Sequence, residues 1–313
     1  MSVAWLFPGQ GSQSVGMGKD VLDASRAARE VFQRANEALG EKLSRLILEG
    51  PEEELTLTAN AQPAIVTVSI AVLAAIRERL PSLADPAFGA GHSLGEYSAL
   101  VAAGALSLED AVRLVRARGR AMQQAVPAGT GAMSAVMGIA PERLEQLCRD
   151  GANGSVVSPA NFNAPGQIVI AGSADAVARV GELVAAEKGR AIPLKVSAPF
   201  HCALMAPAAR AVAAELERVA VHDPRFPIVA NFDATPNADA GRVKVLLVAQ
   251  VDGPVRWEAS VKRMAGAGVS HALEIGPGKV LAGLVKRTAK DVKVLSVSDA
   301  ATLDQVATFL AEA

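Results

Sequence analysis

Gly91-His92-Ser93-Leu94-Gly95 sets a serine between two glycines in the spacing G-x-S-x-G, and the run continues as Glu96-Tyr97. This pattern suits a sharp turn from strand to helix, on which a serine hydroxyl is pushed out as a nucleophile. The turn is tight enough that a Cβ two residues to either side would strike neighbouring backbone, so glycine is required at both places. The flanks agree. Ala87–Gly91 is short and apolar, as a buried strand end is, and Glu96–Ala103 reads as a helix that closes at Gly104.

A serine hydroxyl is a weak nucleophile and needs a base in contact with it. The chain has four histidines. His92 adjoins the serine, and consecutive side chains at a strand end point opposite ways. His222 stands in the polar loop His222-Asp-Pro-Arg and reads as solvated, while His271 begins a strand as a capping or edge residue. His201 follows Ser197-Ala-Pro-Phe200, a proline-fixed loop after a strand, where functional groups are commonly displayed; it is the favoured base. A third member that would orient this histidine is not legible, since no acid between Ser93 and His201 sits in a recognisable strand-end loop. His92 and Glu96 share a helical i, i+4 spacing, but with no third ligand they read as packing around the turn and not as a metal pair.

These groups need a scaffold. Val3–Phe7 reads as a first strand feeding the turn Pro8-Gly-Gln-Gly-Ser-Gln13, which lacks both the third glycine of a dinucleotide loop and a following Gly-Lys-Ser/Thr. It reads as a tight loop presenting backbone N–H groups and the Gln10 amide. Helices are expected over Asp20–Leu39, Pro63–Leu80 and Leu108–Val126, the last opened by a capping box at Ser107 with Asp110 and carrying Arg113, Arg116, Arg118 and Arg120. Between Pro127 and Ala198 the rhythm changes to strand, helix, strand, strand, helix, strand, with strands at Met133–Ile139, Val156-Val157, Gln167–Ala171 and Ala191–Val196. That order is the ferredoxin-like βαββαβ arrangement, read as a small subdomain at 127–198 inserted into a larger domain of 1–126 and 199–313. Beyond it, strands Ile228–Phe232, His271–Ile275 and Val292–Val297 alternate with helices Arg242–Val251, Val255–Gly266, Lys279–Thr288 and Leu303–Glu312. Strands separated by such helices imply a parallel sheet covered on both faces.

Composition narrows the function classes. Half of the 313 residues are hydrophobic, a fifth are charged, and the formal net charge is -1. No basic face or charge block points to nucleic acid or a membrane surface, so an anionic substrate would need one dedicated cation. Two cysteines without a C-x-x-C indicate neither a disulfide framework nor a zinc site. The beginning of the sequence has no signal-peptide pattern. Leu55–Ile76 is uncharged, but Asn60, Gln62 and Pro63 interrupt it, leaving a stretch too short for a bilayer and suited to a buried helix. A soluble, cytoplasmic monomer is expected.

Seven pieces, in order, resemble malonyl-CoA:acyl carrier protein transacylases over essentially the whole chain. They are Phe7-Pro-Gly-Gln-Gly-Ser-Gln13, Gly91-His-Ser-Leu-Gly-Glu-Tyr97, Arg118-Gly119, Asn161-Phe-Asn163 with Pro165-Gly-Gln167, Phe200-His201 with Leu204-Met205, Gln250 ahead of Pro254-Val-Arg-Trp257, and Glu274-Ile-Gly-Pro-Gly278. The resemblance implies an α/β-hydrolase-like core with the inserted ferredoxin-like subdomain and a cleft between them. It implies Ser93 as the residue that takes up malonyl, and His201 as a base that later activates the phosphopantetheine thiol of holo acyl carrier protein. Gln250 would orient the histidine through its backbone carbonyl. Gln10 and Leu94 would supply oxyanion N–H groups, and Arg118 would hold the malonyl carboxylate, with Arg116 adding local positive charge. Asn161 and Phe200 would line the substrate, the bulk of Phe200 disfavouring an α-methyl branch. No metal or redox cofactor is implied. A malonyl transferase of a polyketide or malonate decarboxylase system, a thioester hydrolase and a non-catalytic carrier-protein scaffold are the alternatives.

Overall fold

The computed structural model describes residues 2–127 and 129–313. Its larger sheet has six strands in the order β10-β9-β1-β2-β7-β8. They are β1 (Ser2–Phe7), β2 (Phe88–Gly91), β7 (Ile228–Val229), β8 (Pro236–Asn237), β9 (Val269–Ile275) and β10 (Lys293–Val297). All neighbours run parallel except the short β7–β8 pair at one edge. Successive residues of β1 serve two cores: Trp5 and Phe7 pack under the helix Thr58–Arg79, while Ala4 and Leu6 pack against Trp257, Val261 and Leu284 on the other face. An interior strand buried on both faces in this way needs a continuous apolar run, and Ala4–Phe7 supplies it.

Residues 131–193 carry a second, antiparallel sheet in the order β4-β5-β3-β6, formed by β3 (Gly131–Met137), β4 (Val157–Ala164), β5 (Gln167–Ser173) and β6 (Arg190–Pro193). Helices Pro141–Ala152 and Ala174–Ala186 cover it through a separate core that includes Ile168, Ile170, Leu144 and Val180. β4 is tied to the rest of the protein where Asn161 bridges Val255, just ahead of the helix Trp257–Gly266, with Phe162 N–H donating to the Val255 carbonyl at 2.8 Å.

Several expected elements differ in extent. The helix expected over 20–39 is two, Lys19–Ala24 and Arg26–Leu39; Ser25 between them is extended, and its hydroxyl accepts from Ala28 N–H as an N-cap. The buried helix begins earlier, at Thr58, and runs through Pro63. Proline deprives the Ala59 carbonyl of its helical donor, and Arg116 Nη1 takes that place at 2.9 Å. By length and composition this 22-residue helix could cross a bilayer, so the expectation of a stretch too short is corrected; 83% of its apolar window lies inside the protein. The strand expected at 228–232 stops at Val229, the helix expected from Val255 starts at Trp257, and the last helix is split into Ala300–Leu303 and Val306–Ala311. Ser107 caps its helix through Asp110 N–H, but the reciprocal bond of a full capping box is missing, because Asp110 Oδ2 accepts from the Ser107 hydroxyl instead. Helices Leu43–Glu49, Glu52–Thr56 and Ala206–Leu216 were not anticipated; Pro207 at the first turn of the last one was its sequence signal. His271 is not an edge residue: β9 lies between β10 and β1, and the imidazole is buried against Phe309.

Candidate active site

Ser93 stands between the end of β2 and the helix Gly95–Ala102 with φ 52°, a left-handed conformation that costs a non-glycine residue about 1–2 kcal/mol. Both of its peptide groups are held. Its N–H donates to Asn231 Oδ1 at 2.6 Å, and its carbonyl accepts from Gln250 Nε2 at 3.1 Å. A Cβ on Gly91 would lie 2.0 Å from the Gly95 carbonyl, and one on Gly95 would lie 2.3 Å from the Phe7 carbonyl. Backbone cannot yield as a side-chain end can, so Gly95→Ala is expected to cost upward of about 3 kcal/mol. Urea unfolding and soluble yield measure this; a Gly95→Ala protein as stable as wild type would show that the turn has slack.

His201 follows Pro199 in a loop, is buried, and has φ 61°. Its Nε2 lies 2.8 Å from Ser93 Oγ, and its Nδ1 lies 2.8 Å from the Gln250 backbone carbonyl. A ring nitrogen facing a carbonyl oxygen must carry the proton, which leaves Nε2 to accept from the serine hydroxyl. Burial, and then the nearby Arg118 cation, push the imidazole down to about 3. It is therefore neutral, the form in which it can take a proton.

Arg118 projects from the helix Leu108–Gln124 and is 1% exposed. Its Nη1 donates to Gln62 Oε1 at 2.8 Å, and its Nη2 donates to Gln250 Oε1 at 2.9 Å and to Ser93 Oγ at 3.0 Å. Its Nε has no partner, and among the described residues no carboxylate lies in salt-bridge contact with it. A buried cation with no carboxylate in contact is costly, and such an arrangement can accept an anion. Arg116, two residues earlier, bonds to Ala59 O, Asn60 and Glu41 and is thereby tied down away from the serine. Of the two, Arg118 is the one whose guanidinium contacts the Ser93 hydroxyl.

Ser93, His201 and Arg118 share a cleft of about 270 Å³ with Gln10, Gln62, His92, Asn161, Asn163, Phe200 and Lys195. Side chains of the larger sheet's loops form one wall, and residues of β3, β4 and β5 form the other. Neither the Gln10 nor the Leu94 N–H is taken up by a hydrogen bond among the described residues. The Gln10 side chain donates through Nε2 to Thr58 Oγ1 at 3.2 Å. His92 and Glu96 do not meet: His92 Nε2 is 2.8 Å from Asn163 Oδ1, and Glu96 Oε2 accepts from Asn231 N–H and Gln250 Nε2. A larger cavity, about 630 Å³, lies at the opposite end of β1 among Trp5, Leu80, Leu83 and Leu310, and no histidine lines it.

Asn231 and Gln62 were not singled out from sequence. Gln62 carried a signal, one of two amides (with Asn60) in the uncharged run 55–76; Asn231 carried only its place at the end of an apolar strand.

The acyl transferase domain family matches residues 4–309. A malonyl CoA-acyl carrier protein transacylase of Bacillus subtilis is 50% identical over 305 residues, 96% of this chain and 95% of its own length. One from Escherichia coli K12 is 48% identical over 285 residues, covering 91% and 92%. The crystal structure of an acyl carrier protein S-malonyltransferase from Vibrio cholerae superposes with a TM-score of 0.95 at 46% identity, over 98% of this chain and all of that one. A malonyl-transacylase in complex with a type II PKS acyl-carrier protein superposes with a TM-score of 0.94 at 44% identity, over 97% and 98%. With a serine–histidine pair, a buried arginine and this coverage, the chain belongs to the malonyl-CoA–acyl carrier protein transacylases, enzymes of the acyl transferase family.

Proposed function

We propose that this enzyme moves malonyl from malonyl-CoA to the phosphopantetheine thiol of a holo acyl carrier protein, through a malonyl ester on Ser93. The observation that carries the substrate assignment is the 3.0 Å separation of Arg118 Nη2 from Ser93 Oγ. With the cation so close to the nucleophile, only a carboxylate a few bonds from the acyl carbon can pair with it once the ester has formed. A three-carbon diacid meets that condition, and guanidinium geometry suits a carboxylate.

The steps follow from the contacts. Ser93 Oγ attacks the thioester carbonyl as His201 Nε2 takes its proton, and the developing oxyanion is met by the N–H groups of Gln10 and Leu94. Collapse breaks the C–S bond, and the imidazolium returns the proton to the leaving CoA thiolate. The carrier thiol then gives its proton to His201 and attacks the ester; Ser93 Oγ leaves and recovers the proton. The Gln250 carbonyl on Nδ1 keeps the required tautomer and stabilises the imidazolium, the task an acid performs in a serine protease. Asn161 and Phe200 bound the cleft beside the acyl group, where the Phe200 ring leaves little room for an α-methyl branch. No metal or redox group enters this chemistry.

In this reading 127–198 is a ferredoxin-like subdomain inserted in an α/β-hydrolase-like domain of 1–126 and 199–313; Ala128 lies outside the described residues. The strand order β4-β5-β3-β6 and its two helices on one face support it. The enzyme would work as a cytoplasmic monomer supplying fatty acid synthesis. Supply of a polyketide carrier is the second reading, favoured by the solved complex with a type II PKS carrier protein. The deciding experiment is intact-protein mass spectrometry after mixing with malonyl-CoA. One malonyl adduct, discharged onto holo carrier protein, is expected; steady CoA release without an adduct would mean a hydrolase. Rates with the two kinds of carrier separate the two supply roles.

Because the free histidine is neutral down to about pH 3, acylation kcat/KM should show no tenfold fall between pH 8 and pH 5. An acid limb centred near 6.5 would show that the imidazole is solvated. Stability follows the same group. Below pH 6.5 the unfolded chain gains a proton that the folded His201 refuses, so stability is lost progressively from 6.5 down to about 3.

A further inference from the structure

We propose that Glu96 is a positioning residue for the Ser93 nucleophile, acting through Asn231 and Gln250. This inference rests on the malonyl-transfer reading only for the name of the reaction it assists. One carboxylate oxygen, Glu96 Oε2, accepts from the Asn231 N–H at 2.9 Å and from Gln250 Nε2 at 2.7 Å. Those two residues hold the two peptide groups of Ser93, Asn231 through Oδ1 on its N–H and Gln250 through Nε2 on its carbonyl. Asn231 also donates through Nδ2 to the Gly91 carbonyl at 2.7 Å, fixing the strand end that enters the turn. The clamp therefore surrounds the one serine that the turn forces to a positive φ.

Glu96 also sets an orientation. A carboxylate oxygen facing an amide selects its NH₂ end, so Gln250 must present Nε2 to Glu96 and Ser93 and keep Oε1 for Arg118. With the amide reversed, an oxygen would face two acceptors and an NH₂ would face a guanidinium. Glu96, Asn231 and Gln250 are all buried, so water does not replace a lost bond. Burial raises the Glu96 carboxyl to about 7, and Oε2 can accept both bonds in either protonation state.

The test uses the full chain and a fluorophosphonate, a probe that labels an aligned serine without needing a carboxylate or CoA. Glu96→Met and Asn231→Leu should each slow Ser93 labelling, followed by intact mass, by roughly 10- to 100-fold, as small misplacements of a reacting atom do. Acylation by malonyl-CoA should fall in parallel. Glu96→Gln retains an acceptor oxygen and should stay within about threefold of wild type, a rescue that a role for the charge itself would not allow. The double variant Glu96→Met/Asn231→Leu should label no more slowly than the slower single, because both break one clamp. If Glu96→Met does not fold, Asn231→Leu and Glu96→Gln decide the matter. A folded Glu96→Met or Asn231→Leu that labels at the wild-type rate, or single effects that multiply in the double variant, would overturn the proposal. Wild type that labels normally but forms no malonyl adduct would instead count against the transfer reading.

Discussion

Arg118→Ala should lower malonyl acylation of Ser93 by roughly two to three orders of magnitude in kcat/KM while lowering acetyl acylation far less. Removing one partner of a buried ion pair leaves the other charge uncompensated, at a cost of about 3–5 kcal/mol. Here the orphaned charge would be the substrate's carboxylate, held in a cleft that offers it no second cation among the buried side chains. The acetyl group has no carboxylate to orphan. In the wild type it leaves the guanidinium buried and unpaired, as it stands in the free enzyme, and the alanine variant is relieved of that burden. Arg118 also donates to Ser93 Oγ, so both donors share one loss, that of a cation beside the developing alkoxide. The shared loss and the carboxylate effect separate in the ratio: the acetyl rate reports the first, and the change in malonyl-to-acetyl preference reports the second. Arg118→Lys should recover only part of that preference, since an ammonium cannot serve Gln62, Gln250 and a carboxylate from one planar fork. Competition between the two thioesters, read as adduct masses, measures it. Equal losses for both would remove Arg118 from the carboxylate.

The parts of this site that were legible in sequence are those whose function forces a local pattern. Gly91 and Gly95 are required by atoms only four or five residues away or at the end of the adjoining strand, so the turn announces itself as G-x-S-x-G. His201 emerged by elimination among four histidines. What the pattern withheld is what arrives from far along the chain. Asn231 reaches the serine across 138 residues and sits in no motif, and Gln250, 157 residues away, was named only through the family resemblance and not by any pattern of its own. The orienting group for His201 could not be found as an acid because it is a main-chain carbonyl, which every residue possesses. Helix limits failed for a related reason. A proline inside an apolar run ordinarily starts or ends a helix, yet here a distant arginine satisfies the carbonyl that Pro63 leaves free and the helix continues through it.

That main-chain carbonyl leads to the second large effect. His201→Ala should slow acylation of Ser93 by roughly 10⁴- to 10⁶-fold, the range seen when a base that acts as a unit with its nucleophile is removed. The hydroxyl then keeps its proton, and Arg118 at 3.0 Å favours the alkoxide without being able to accept that proton. Gln250→Ala should behave differently. Its carbonyl remains in the backbone, so the Nδ1 bond and the tautomer survive, and the imidazole still presents Nε2 to Ser93. The losses are the amide's bonds to Arg118, Glu96 and the Ser93 carbonyl, a matter of alignment worth roughly 10- to 100-fold. An acid in this place would carry its orienting function in a side chain, and removing that function costs about 10⁴. Single-turnover acylation, followed by adduct mass, distinguishes the cases. A Gln250→Ala enzyme as impaired as His201→Ala would mean that the side chain orients the base. A His201→Ala enzyme acylated within tenfold of wild type would mean that Ser93 loses its proton to another group.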